Sequence, residues 1–171
     1  KQQSNMVKLK IINEFKPTNT NEQPVKFIDL FCGIGSFHYS FEKLGFKCAM
    51  ASDICEAAKN TYKENYGMDV LDDICEIDPS TIEHYDILCA GFPCQPFSQA
   101  GHHKGFEDSR GTMFSQVMRF VKQNVPKVVI LENVQALLNH DNGNSFATIK
   151  TELENEGYTV VHNVLKCSDY G

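Results

Sequence analysis

Cys94 ends the run Gly91-Phe92-Pro93-Cys94, between an apolar stretch that closes at Ala90 and a polar one that opens Gln95-Pro96-Phe97-Ser98. A thiolate is a strong nucleophile, and a proline before it stiffens the main chain and biases Phe92 toward an extended conformation. A cysteine taken at random is more often a small buried hydrophobe. Here neither neighbouring proline suits a core strand, and the loop beyond is polar and glycine-bearing, so Cys94 reads as a nucleophile presented at the lip of a strand. Glu132 directly follows Val128-Val129-Ile130-Leu131. A carboxyl group closing so apolar a strand would be desolvated, which favours its protonated form and a part as hydrogen-bond donor or general acid. A helix-capping role is the alternative.

Three more groups stand where apolar runs end. Asp29-Leu30-Phe31-Cys32-Gly33-Ile34-Gly35-Ser36-Phe37 carries two glycines one residue apart, which would let a ligand approach the main chain before a helix begins. Glycine is also used at such junctions for turning alone, and the third glycine of a dinucleotide fingerprint is absent, since His38 stands there. Asp53 follows the next run at about the distance where an acid meets ribose hydroxyls, and it could equally cap the helix after it. Asp73-Ile74 sets a hydrogen-bond acceptor beside an apolar wall, as an adenine requires. The plainer reading of Asp72-Asp73 is a solvated acidic loop.

These groups need a scaffold that brings strand ends together. The apolar run Val25 to Phe31 predicts a strand, Phe37 to Leu44 an amphipathic segment, Lys47 to Ala51 a second strand and Glu56 to Tyr66 a helix. Short strands are expected near Val70 and at Tyr85 to Ala90. A helix over Thr112 to Asn124 leads through Pro126 into Val128 to Leu131, counted as the fifth strand, and a helix over Ser145 to Glu156 precedes the apolar run Tyr158 to Leu165. This alternation predicts an α/β fold, a mainly parallel sheet with helices on both faces, whose ligands bind at the carboxyl ends of the strands.

Of 171 residues, 42% are hydrophobic and 22% charged, which fits one folded domain with a genuine core. Residues 1–25 are mostly polar and read as an extension and linker, leaving 26–171 as the domain. No stretch approaches the roughly 20 apolar residues of a membrane span, and the start lacks a secretory segment, so an intracellular, cytoplasmic protein is expected. Seven cysteines without a C-x-x-C pair support neither a disulfide framework nor a structural zinc site. The net charge of −6 argues against nucleic-acid binding by overall electrostatics, and His102-His103-Lys104 with Arg110 is the one notable basic feature in the middle of the chain.

Taken in order, Asp29 to Phe37, Asp53, Asp73-Ile74, Gly91 to Ser98, Ser109-Arg110-Gly111-Thr112-Met113-Phe114 and Glu132-Asn133-Val134 closely resemble the cytosine-5 DNA methyltransferases, the bacterial restriction-modification type in particular. The resemblance runs from about Lys26 to Gly171. It implies a Rossmann-like S-adenosylmethionine-dependent methyltransferase fold, with double-stranded DNA as partner and no metal. By the same resemblance Phe31, Gly33 and Gly35 would face the adenine and methionine parts of the cofactor. Asp53 would hold the ribose, Ile54, Asp73 and Ile74 would contact the adenine, and Pro93 would complete the cofactor set. Cys94 would attack carbon 6 of a flipped-out cytosine, Glu132 would bind its N3 and exocyclic amine, and Gln95 to Gly111 would close over the DNA.

The family continues past the point where this sequence stops, at Ser168-Asp169-Tyr170-Gly171, into an arginine-bearing strand, a target-recognition domain and a returning helix. Either a second polypeptide supplies these parts or the chain is a shortened product. A transfer-RNA methyltransferase of the same superfamily would typically carry Pro-Pro-Cys and a Cys-Phe-Thr element. This chain has Phe92-Pro93-Cys94 and no Cys-Phe-Thr, which favours DNA. An inactive cofactor-binding subunit is the remaining alternative.

Overall fold

The computed structural model describes residues 23–93 and 113–169. Cys94, the loop Gln95 to Gly111 and residues 1–22 of the polar extension lie outside them. In chain order the elements are β1 (Lys26–Leu30), α1 (Ser36–Glu42), β2 (Lys47–Ser52), α2 (Glu56–Tyr66), β3 (Ile87–Ala90), α3 (Met113–Asn124), β4 (Val128–Leu131) and α4 (Asn144–Asn155). The four strands form one parallel sheet in the order β2-β1-β3-β4. Chain order reverses between β1 and β3, so their carboxyl ends flank the crevice where ligands of open α/β sheets bind.

Alternation along the central strands divides the core in two. Ile28 and Leu30 of β1 and Leu88 and Ala90 of β3 point to one face, where Phe114, Val117 and Val121 of α3 and Ile149 and Leu153 of α4 cover them. Phe27, Ile87 and Cys89 point to the other, against Phe37 and Phe41 of α1, while Ala51 and Cys32 meet Tyr62 and Tyr66 of α2. Helices thus cover both faces, as parallel strands buried on both sides require.

The strand expected near Val70 is reduced to one bridge between Leu71 and Ser52. The acidic pair Asp72-Asp73 follows at once, leaving too little apolar chain to extend the ladder. Val128–Leu131 is therefore the fourth strand of the described residues and not the fifth. Tyr158 to Leu165 forms no strand. Its Tyr158 hydroxyl donates to the Pro126 carbonyl at 2.7 Å, and Val161 beyond is 88% exposed. Beside it, on the outer side of β4, opens a cavity of about 720 Å³ walled by Leu131, Leu137, Phe146, Ile149 and Val160. Among the described residues its walls contain no carboxylate or thiol, and it meets the strand-end residues through Phe92 and Asn133. Among the described residues no helix is long and apolar enough to cross a membrane, and no group of three or more His, Cys, Asp or Glu is arranged to hold a metal ion.

Candidate active site

Leaving β1, the chain turns sharply. Phe31 has φ +57° and Gly33 φ +53°, both in the left-handed region, and Gly35 has φ +94°. The turn stays tied to β2, because the Cys32 N–H donates to the Ser52 carbonyl at 3.0 Å and the Gly33 N–H to Asp53 Oδ2 at 2.8 Å. Asp53 Oδ1 accepts from the Cys55 N–H at 2.8 Å. Two main-chain donors therefore hold this carboxylate, each oxygen keeping further acceptor capacity for a ligand. A Cβ placed on Gly33 would meet nothing within 4 Å. The outer side of the loop is open, with Ile34 59% and Ile54 75% exposed beside it.

The Asp53 N–H donates to the Leu71 carbonyl at 3.0 Å, which ties the acid to the segment carrying Asp73. Asp73 is half-buried and shapes its own turn by accepting from the Cys75 N–H at 2.9 Å. Ile74 is 3% exposed and belongs to the core under α3. Arg119 of α3 fastens this stretch from behind, donating to the carbonyls of Ile77 at 3.0 Å and, at 3.4 Å, of Ile74 and Cys75, and to Gln116 Oε1 at 2.7 Å.

On the other flank of the crevice, the Glu132 N–H donates to the Ala90 carbonyl at 3.0 Å, so the carboxylate leaves the sheet beside Gly91. A Cβ on Gly91 would lie 3.4 Å from Glu132 Oε2, so glycine keeps that approach open. Glu132 is exposed, which corrects the expectation that its strand end alone would desolvate it. β4 is the outermost strand of the described sheet, and the acid stands at its open end.

Asn133 carries a role that sequence reasoning missed. Its Nδ2 donates to the Phe92 carbonyl at 2.7 Å and its Oδ1 accepts from the Val134 N–H at 2.9 Å. Phe92, 5% exposed and packed on Phe114 at 5.8 Å, is thereby held two residues before Cys94. The amide ties the main chain at Phe92 to the residue after Glu132. Nothing in the string Glu132-Asn133-Val134 says which carbonyl the amide will meet. Asn133→Ala is expected to cost about 1–2 kcal/mol, the price of one buried carbonyl left unpaired, read as a lower urea midpoint. An unchanged midpoint would remove Asn133 from this role.

The described site residues thus form two groups on the same sheet edge, Phe31, Gly33, Gly35, Asp53, Ile54, Asp73 and Ile74 on the β1–β2 side and Gly91, Phe92, Pro93 and Glu132 on the β3–β4 side. The profile of the C-5 cytosine-specific DNA methylase family matches residues 25–171. The chain is 48% identical over 147 residues to the type II methyltransferase M.MspI of Moraxella sp, covering 85% of this chain and 35% of that protein. It is 43% identical over 147 residues to M.HhaI of Haemophilus parahaemolyticus, covering 86% of this chain and 45% of that one. It spans less than half the length of these relatives. Among solved structures it is similar to a DNMT2 of Spodoptera frugiperda, with a TM-score of 0.52 and 26% identity over 75% of this chain and 41% of the other. The Entamoeba histolytica methyltransferase EhMeth shares the fold with a TM-score of 0.56 at 22% identity, over 81% of this chain and 46% of its own. Fold, strand-end constellation and profile agree, and the chain belongs to the C-5 cytosine-specific DNA methylase family.

Proposed function

We propose that residues 26–171 are the donor-binding and catalytic part of a DNA (cytosine-5) methyltransferase that uses S-adenosylmethionine. The observation that carries this reading is the placement, at the carboxyl ends of neighbouring strands, of an open glycine loop bonded to Asp53 and of Glu132 beside Gly91, three residues before Cys94 in the sequence. The chain fits the donor. The uncovered Gly33 leaves room for a ligand against the main chain, and the fixed Asp53 carboxylate can accept from two ribose hydroxyls. When bound, the donor supplies an electrophilic methyl group.

In this reading Cys94 forms a bond to carbon 6 of a cytosine turned out of the duplex, and the electron pair displaced from the ring's double bond makes carbon 5 nucleophilic. Glu132 holds N3 and the exocyclic amine, drawing electron density as that charge develops. Its exposed carboxyl would be desolvated by the base itself and by a closing loop. Once carbon 5 carries the methyl group, loss of its proton and of the Cys94 thiolate restores aromaticity. The DNA-reading surface would come from the length that the relatives have beyond this match or from a second polypeptide. The net charge of −6 over the 171 residues agrees, since acids outnumber the cations available for phosphates.

Equilibrium dialysis with labelled S-adenosylmethionine tests the donor site. Asp53→Ala is expected to weaken binding roughly ten- to a hundredfold, the range for losing hydrogen bonds to a charged acceptor. Equal affinity in the variant would refute the assignment. Labelled transfer to duplex DNA against transfer RNA tests the substrate, and preference for the RNA would reverse the reading.

A further inference from the structure

The inner side of the glycine loop is gripped by α2. The Gly35 carbonyl accepts two hydrogen bonds, from the Tyr39 N–H at 2.9 Å and from the Tyr66 hydroxyl at 2.8 Å. A Cβ on Gly35 would fall 2.3 Å from Tyr66 Cε2 and 3.0 Å from Tyr62 Cε2, so the Tyr66 ring lies directly on the main chain of the loop. His38 braces that ring. The two stack with centroids 4.0 Å apart and planes 8° off parallel, and His38 Nδ1 lies 2.6 Å from the hydroxyl of the fully buried Tyr62. Phe27 of β1 closes the far side, edge-on to His38 at 5.5 Å.

His38 stands where a dinucleotide fingerprint would place its third glycine, a residue that lets helix and strand approach closely. A ring there forces a different solution. Tyr62 and Tyr66, one helical turn apart on α2, fill the space around it, and the loop is tied to α2 as well as to its own helix. Asp53 holds the outer side of the same loop through the Gly33 N–H. Clamped at both glycines, the loop needs little ordering when a ligand arrives, which raises affinity without adding a contact.

We propose that Tyr66, braced by His38 and Tyr62, is a positioning residue that presets the donor loop through the Gly35 carbonyl. The proposal rests on the reading of this loop as the donor site. Its effect falls on donor affinity and on opening of the loop, and not on global stability.

Tyr66→Phe keeps the ring and the stack and removes only the hydroxyl. Expected are a donor dissociation constant about fivefold higher, the size of one neutral hydrogen bond, and faster amide hydrogen exchange confined to residues 33–39. The urea midpoint should move little. A variant that binds the donor as tightly as wild type, with unchanged exchange, overturns the clasp alone. Weaker binding accompanied by faster exchange throughout the domain and a matching fall in midpoint also overturns it, by making the tyrosine merely structural. A wild type that binds no donor overturns the donor site itself and the proposal with it. His38→Ala, which removes the ring stacked on Tyr66, should weaken donor affinity as Tyr66→Phe does.

Discussion

A duplex with 5-fluorocytosine at the target position is expected to give a denaturation-resistant protein–DNA band with the wild-type chain and S-adenosylmethionine, and none with Cys94→Ser. The difference rests on the nucleophile. A thiol has an ordinary pKa near 8.5 and is a few per cent thiolate at neutral pH, whereas a serine hydroxyl needs an activating base. Removing a covalent nucleophile typically costs at least about a thousandfold in rate. Fluorine on carbon 5 cannot leave as the proton does, so the bond between sulfur and carbon 6 persists where an ordinary cytosine would be released. Donor affinity should survive the substitution, because all the groups that would hold the donor except Pro93 lie across the crevice, after β1 and β2 and at Asp73-Ile74. Adducts of equal yield in the two proteins would take Cys94 out of the reaction. If neither protein forms an adduct, the assay is repeated with the carboxyl-terminal part of a relative added. Silence of the wild type there as well would count against the enzyme reading.

The strand-end residues were legible because each sits where an apolar run stops. β1, β2, β3 and β4 and the helices Glu56–Tyr66 and Met113–Asn124 fall within two residues of where hydrophobic periodicity puts them, β3 starting two residues late. What the sequence could not disclose is which groups meet across the fold. Val70-Leu71 has strand-like residues, but only the tertiary contact with Ser52 decides that one bridge forms and not a ladder. Tyr158 to Leu165 has the composition of a strand and lies beside β4 without pairing to it. The amide of Asn133 reaches 41 residues back to Phe92, and Tyr66 reaches 31 residues back to Gly35. Such pairings have no local signature. Glu132 failed in the opposite direction, since an apolar approach implied burial and its position at the end of an outer strand left it exposed.

Asp29 was legible only as one letter of the loop, and in the structure it is a carboxyl group buried in the core. It lies on the central strand β1 with strands on both sides, fully buried, and neither carboxyl oxygen makes a hydrogen bond of ordinary geometry. Burial pushes its pKa from 3.8 up to about 8; the main-chain N–H of His38 offsets part of this and the charge of Asp53 adds to it. The unfolded chain sheds this proton near 3.8 and the folded chain near 8. Between those values the unfolded state binds fewer protons, so Asp29 contributes full stability below about pH 4, loses it progressively as pH rises toward 8, and changes little above. The slope is roughly 1.4 kcal/mol per pH unit at its steepest.

The neighbours leave a clear window in which to see it. His38, whose pKa burial lowers below 6.5, acts oppositely and only below that value, and the thiols of Cys32, Cys48 and Cys89 and the phenols of Tyr62 and Tyr66 are all pushed upward, Cys48 to about 12. From pH 6.5 to 8 the urea-unfolding free energy of the wild type should therefore fall by about 2 kcal/mol, while that of Asp29→Asn, which cannot ionise, stays level. The variant should be the more stable protein at pH 8, although its buried amide still lacks a partner. Parallel curves for the two proteins over this window would show that Asp29 is not a buried proton carrier. A carboxyl that weakens its own fold at neutral pH, two residues before the turn at Phe31, is the kind of local conflict that a functional loop retains.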